Sequence, residues 1–115
     1  MIDELRKSLV EAAEDDWVYF AEIETLVLDI TGSNEDLLKR AGQAAAQLVR
    51  EGTVVPGALT EAEGFTPWPG TPEESAKRIE REVAEMVENG TEPEMGDVCW
   101  FDLPPGVAEF KDVTE

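Results

Sequence analysis

Residues 37–68 read LLKRAGQAAAQLVREGTVVPGALTEAEGFTPW, and the fold turns on this stretch. Leu37, Leu38, Ala41, Ala45, Leu48 and Val49 recur at helical spacing, so a helix is expected up to about Glu51, with Gly52 as its stop. Gly42 inside it should cost about 1 kcal/mol against alanine. Lying among Ala41, Ala44, Ala45 and Ala46, it points to close packing against a neighbouring helix. Residues 53–55 and 58–60 then favour extended chain, Pro56-Gly57 is a turn signal, and residues 64–68 return. Two short strands joined by a loop fit this pattern. Pro67 and Pro69 confine the second to an edge or its end.

Upstream, Ile23, Leu26, Val27 and Ile30 predict a helix over about 21–30, ended by Gly32. Only Thr31, Gly32, Ser33 and Asn34 separate it from the next helix, which is the spacing of a helix-turn-helix. Ser33 or Asn34 is expected to cap that helix, with Glu35 and Asp36 in its first turn, where the helix dipole favours acids. Ile2, Leu5, Leu9 and Ala13 predict a first helix over about 2–14, and Trp17-Val18-Tyr19-Phe20 a brief strand after it. Downstream, Thr71-Pro72-Glu73-Glu74 starts a helix that Asn89-Gly90 ends. Ala76, Ile79, Val83, Met86 and Val87 should face inward, and the pairs Glu73–Lys77, Glu74–Arg78 and Arg78–Glu82 outward. Residues 96–101, GDVCWF, form the clearest strand, apolar on both faces and so expected centrally in a sheet. Pro104-Pro105-Gly106 closes the folded part. A single domain over 1–104 and an acidic tail over 105–115 are expected.

A hairpin directly after a helix-turn-helix is a wing. The segments LVREGTVVPGAL and GFTPW look like the third helix and wing of winged-helix proteins. With DW at 16–17, GFTPW at 64–68 and GDVCW at 96–100, the chain resembles small acidic bacterial proteins with a winged-helix-like core, over about residues 15–102. The resemblance implies an α+β, winged-helix-like fold: about four helices with a small antiparallel sheet of wing hairpin plus C-terminal strand. Its motifs are structural aromatics and glycines, and they imply no chemistry.

The residues agree on that point. The chain of 115 residues contains no histidine, which removes the commonest general base and most zinc sites. The one cysteine, Cys99, lies in an apolar strand without a base to activate it. No glycine loop suited to phosphate is present, because the glycines mark element ends. Asp29 to Asp36 faintly resembles a calcium loop, but its glycine falls at the fourth position and Arg40 stands where a glutamate is needed. No catalytic residue, metal or cofactor is therefore expected, and the protein is read as not an enzyme. No apolar run spans a membrane, and Asp3, Glu4, Arg6 and Lys7 break up the start, so the cytoplasm is the expected compartment.

The formal net charge is −18. Residues 1–36 contribute −9, residues 82–115 contribute −9, and residues 37–81 sum to zero. Acidic ends should repel phosphate backbones and anionic lipids and attract a basic protein. The leading expectation is a non-catalytic interaction module, an acidic inhibitor or immunity-type protein with a basic partner. Its candidate contacts are Glu11, Glu14, Asp15, Asp16, Glu22 and Glu24, with Glu85, Glu88, Glu92 and Glu94 as a second patch. Trp17 and Trp100 are expected in the core. Trp68, between two prolines, is either packed on the fourth helix or an interface anchor. The alternative is a nucleic-acid-binding regulator reading DNA with helix 34–51, through Lys39, Arg40, Gln43, Gln47 and Arg50. Its wing carries Glu61 and Glu63 and no base, which argues against it. A homodimer through the small-residue face at Ala41, Gly42, Ala44 and Ala45 is the third reading.

Overall fold

The computed structural model describes residues 1–94 and 97–104. Among them, four helices and four strands follow in the order α1 (Ile2–Asp15), β1 (Val18–Tyr19), α2 (Phe20–Thr31), α3 (Leu37–Glu51), β2 (Val55–Thr60), β3 (Gly64–Pro67), α4 (Pro72–Asn89) and β4 (Trp100–Asp102). The class is α+β, with an antiparallel sheet in the order β1-β4-β2-β3. The expected tail over 105–115 lies outside the described residues.

Side chains alternate across a strand, and the register sorts them into two faces. Val18, Phe101 and Pro56 lie side by side in one row and are all buried. They face the helices, where Leu5 and Leu9 of α1, Phe20, Ile23 and Val27 of α2, Ala45 and Leu48 of α3, and Ile79 of α4 complete the core. Tyr19, Trp100, Gly57 and Pro67 form the adjacent row, so they lie on the opposite face of the sheet.

The small-residue face of α3 is buried within the chain. A Cβ placed on Gly42 would meet Val83 Cγ1 of α4 at 2.7 Å, so the glycine permits the close approach that its neighbours suggested. Ala41, Ala44 and Ala45 are buried with it and are not available to a second copy. The start of α4 also follows the sequence. The Thr71 hydroxyl accepts from the Glu74 N–H at 3.1 Å and the Glu74 carboxylate accepts from the Thr71 N–H at 3.0 Å, a reciprocal capping box.

Three local expectations are corrected. Neither Ser33 nor Asn34 caps α3. The helix begins at Leu37, Asp36 stands at its N-cap in the left-handed region (φ 48°), and no acid occupies the first turn. Local side-chain bonds win here: the Ser33 hydroxyl accepts from Glu35 N–H, and Arg40 donates back to the Ser33 and Glu35 carbonyls, both at 2.7 Å. Pro56-Gly57 is not a turn but part of β2. The chain reverses at residues 61–63, where Glu63 N–H donates to the Thr60 hydroxyl and Gly64 takes φ 70°. The last strand starts at Trp100. Cys99 N–H donates to the Asp97 carbonyl at 2.8 Å across Val98, whose φ is 66°, and this three-residue turn delays the ladder. Gly96 of the expected strand lies outside the described residues. As expected, β4 is central, between β1 and β2.

Candidate partner-binding surface

The structure regroups the candidate acids. Glu11, Glu14, Asp15 and Asp16 are exposed along and beyond the end of α1. Glu22 and Glu24 do not share a patch. They are two residues apart on α2, and such residues point to different sides of a helix. Burial, then the repulsion of Asp16, pushes the Glu22 carboxyl up from its ordinary range. Burial, then the repulsion of Glu92, does the same for Glu24. Glu22 thus belongs with the end of α1, and Glu24 with Glu92 beyond the end of α4. Glu85, Glu88, Glu92 and Glu94 are exposed. Chain distance made neighbours of residues that helix geometry separates.

These shifts have a consequence for stability. A carboxyl whose pKa is raised on folding binds protons more tightly in the folded state, so its protonation favours folding. Glu22 and Glu24 therefore add stability as pH falls toward about 5, which also relieves the self-repulsion of the net charge. Two others act in the opposite sense. The Arg6 guanidinium holds Glu51, and the Arg50 guanidinium holds Glu73, below the ordinary carboxylate range. Their contribution is present above the unfolded pKa and disappears as pH falls through the folded one. Thermal melts should show Tm rising from pH 7 to about 5 and falling below about 4. In the double variant Glu22→Gln with Glu24→Gln the rise should shrink. A Tm that falls steadily from pH 7 downward would refute this account.

The bases of the alternative nucleic-acid face are largely held by other groups. Arg40 is half-buried, and its guanidinium is engaged by the Ser33 and Glu35 carbonyls and the Thr31 hydroxyl. Arg50 bridges Glu73 and Glu80 of α4 at 2.8 and 2.9 Å. Glu73 thus leaves the expected partner Lys77 for α3, and Glu74 is occupied in the capping box. Arg78–Glu82 forms as expected at 2.8 Å. Gln47 donates to Glu51, which also accepts from Arg6 of α1. Lys39 and Gln43 are exposed.

The tryptophans fall differently from expectation. Trp68 is half-buried against the core, with Arg78 over its ring at 3.7 Å from the centroid, which is the packed alternative of the two. Trp17 is not in the core: it is 38% exposed. It stacks on Phe65 at 6.4 Å and 12°. Trp100 is half-buried on the outer face of the sheet, edge-on to Tyr19 at 5.5 Å. Trp17, just before β1, and Trp100 in β4 alternate with core residues, Trp17 and Tyr19 against Val18, and Trp100 against Phe101. Register, not residue type, decides their side. Phe65 completes the group. Its ring lies across Gly57, where a Cβ would come within 2.8 Å of it.

Four aromatics thus cover the outer face of the sheet. The sequence carried this as a period-two alternation in Trp17-Val18-Tyr19 and again in Trp100-Phe101-Asp102. It was masked because both phases of each strand are apolar or aromatic. Among the described residues, no three of the ligand-bearing types histidine, cysteine, aspartate and glutamate are placed to hold one metal ion, and no helix is long and apolar enough to cross a membrane. Cys99 is buried, and burial pushes its thiol pKa up. No family model, curated protein or solved structure matches the chain.

Proposed function

We propose that the protein is a non-catalytic interaction module that docks a basic protein, in the manner of an acidic inhibitor or immunity protein working in the cytoplasm. One observation carries this reading: four of the five arginines, all but Arg81, are taken up by intramolecular contacts while many acids stay open. Arg6 binds Asp3 and Glu51, Arg50 binds Glu73 and Glu80, Arg78 binds Glu82 and covers Trp68, and Arg40 clamps its own turn. Glu11, Glu14, Asp15, Glu85 and Glu88 remain exposed. A net charge of −18 then acts outward, raising encounter rates with a cationic partner. The order α1-β1-α2-α3-β2-β3 fits a winged-helix reading of the core. The nucleic-acid alternative has less support, because Arg40 and Arg50 would have to abandon their partners to reach a phosphate or base.

The test is capture of partners on the tagged protein, eluted through a rising salt gradient, followed by association kinetics with what is captured. A basic protein released at moderate salt is the expected result. Neutralising Glu14, Asp15 and Asp16 together should slow its association several-fold at low salt and change little at high salt. Recovery of nucleic acid instead, with binding lost in Arg40→Ala, would replace this reading with the alternative.

A further inference from the structure

The outer face of the sheet carries a more specific assignment, which rests on the basic-partner reading. Trp17 and Phe65 lie parallel, Trp100 and Tyr19 meet edge to face, and the Phe65 ring crosses Gly57. The core lies on the other side of the strands, so the four rings form a layer that the helices do not cover. Lys and Arg are absent from residues 8–38, 51–76 and 82–104, which supply all four strands and both ends of each. Every charge the sheet itself brings is therefore negative. Asp16 adjoins Trp17, and its carboxylate accepts the Trp17 N–H at 2.8 Å. Asp102 lies in the outer row of β4, two residues from Trp100, and Glu61 and Glu63 mark the hairpin tip.

Aromatic faces attract cations, tryptophan most strongly, and arginine stacks on them better than lysine because its guanidinium is planar and weakly hydrated. The chain makes this contact internally, where Arg78 lies over Trp68 on the helix side of the sheet. The outer face offers the same rings and a rim of carboxylates with no internal arginine. We propose that this aromatic face is the docking surface for an arginine-bearing segment of the basic partner, with guanidinium groups stacked on Trp17 and Trp100 and paired with Asp16 and Asp102. A second copy of this chain fits poorly, because two such faces would set carboxylates against carboxylates.

Tryptophan emission of the full chain, titrated with hexa-arginine and with hexa-lysine at low salt, tests this. Hexa-arginine should bind several-fold more tightly than hexa-lysine, and Trp17→Ala should weaken it roughly tenfold. Trp17→Leu, which keeps apolar bulk but not the π face, should behave like Trp17→Ala. Asp29→Asn, at an exposed acid of α2 outside the candidate patches, should leave the arginine preference intact, and Glu85→Gln with Glu88→Gln on the second acidic patch is the competing comparison. Equal binding of both peptides, indifferent to Trp17 and weakened by the Glu85 and Glu88 changes, overturns the aromatic face and leaves the basic-partner reading standing. Failure of both peptides to bind overturns both. Sedimentation as a dimer that Trp17→Ala dissociates would assign the face to a second copy and also overturn the proposal.

Discussion

Phe101→Ala should destabilise the fold by about 3–5 kcal/mol, the usual cost of removing a buried phenylalanine. Phe101 is wholly buried at the middle of β4, and β4 is the strand that joins β1 to β2. Its neighbours in the row, Val18 and Pro56, are also buried and cannot turn to water to fill the void. Total stabilities are about 5–15 kcal/mol, so this change removes a large part of the whole. Tm should drop by roughly 10–20 °C. Cys99 gives a second readout two residues away. It is buried in the native protein and should react slowly with a thiol reagent. In Phe101→Ala it should label much faster, as β4 opens. A loss under about 1 kcal/mol with unchanged labelling would show that the sheet is not held together through β4.

Gly57→Ala should be the most damaging of the small substitutions. Gly57 is not among the residues with positive φ, so its backbone is open to alanine and the conflict is purely one of space. The added Cβ would lie 2.4 Å from the Thr66 carbonyl oxygen, 2.8 Å from the Phe65 ring and 2.9 Å from Pro67 Cα. Two of these are backbone atoms of the paired strand and cannot rotate aside. The β2–β3 pairing must shift, or the Phe65 ring must lift off the sheet. Overpacking of this kind typically costs 1–3 kcal/mol, against a gain of roughly 0.5–1 kcal/mol from replacing a strand glycine. A lower Tm is expected, together with a changed near-ultraviolet circular dichroism signal as Phe65 parts from Trp17. A variant at least as stable as the parent, with an unchanged aromatic signal, would mean that Gly57 is not there to admit the ring.

Much of the fold was legible because local signals agreed with the global arrangement. The α4 start carries its cap, proline and acids in order, and the capping box forms as the sequence implies. Gly42 among alanines announced a close helix contact, and Val83 supplies it. Where local signals competed, reading failed. Pro56-Gly57 has the composition of a turn, yet the glycine serves a ring packed across it. Ser33 and Asn34 have the composition of caps, but Arg40 ties the segment into a turn that delays the helix. The candidate surface was less legible than the fold. Acids could be counted but not grouped, since Glu22 and Glu24 diverge around a helix, and the aromatic face needed strands far apart in sequence to be aligned.

By itself the sequence determined the kind of molecule: helices and strands in order, a −18 charge concentrated at both ends, and no histidine for acid–base work. These follow from periodicity and composition, which are properties of the chain read locally. Only the tertiary structure decided which arginines are occupied, because Arg6 meets Glu51 and Arg50 meets Glu80 across separate helices. It also decided that Trp17 and Trp100 face outward and Trp68 inward. A strand's two faces become inside and outside only when pairing sets its register and helices cover one side.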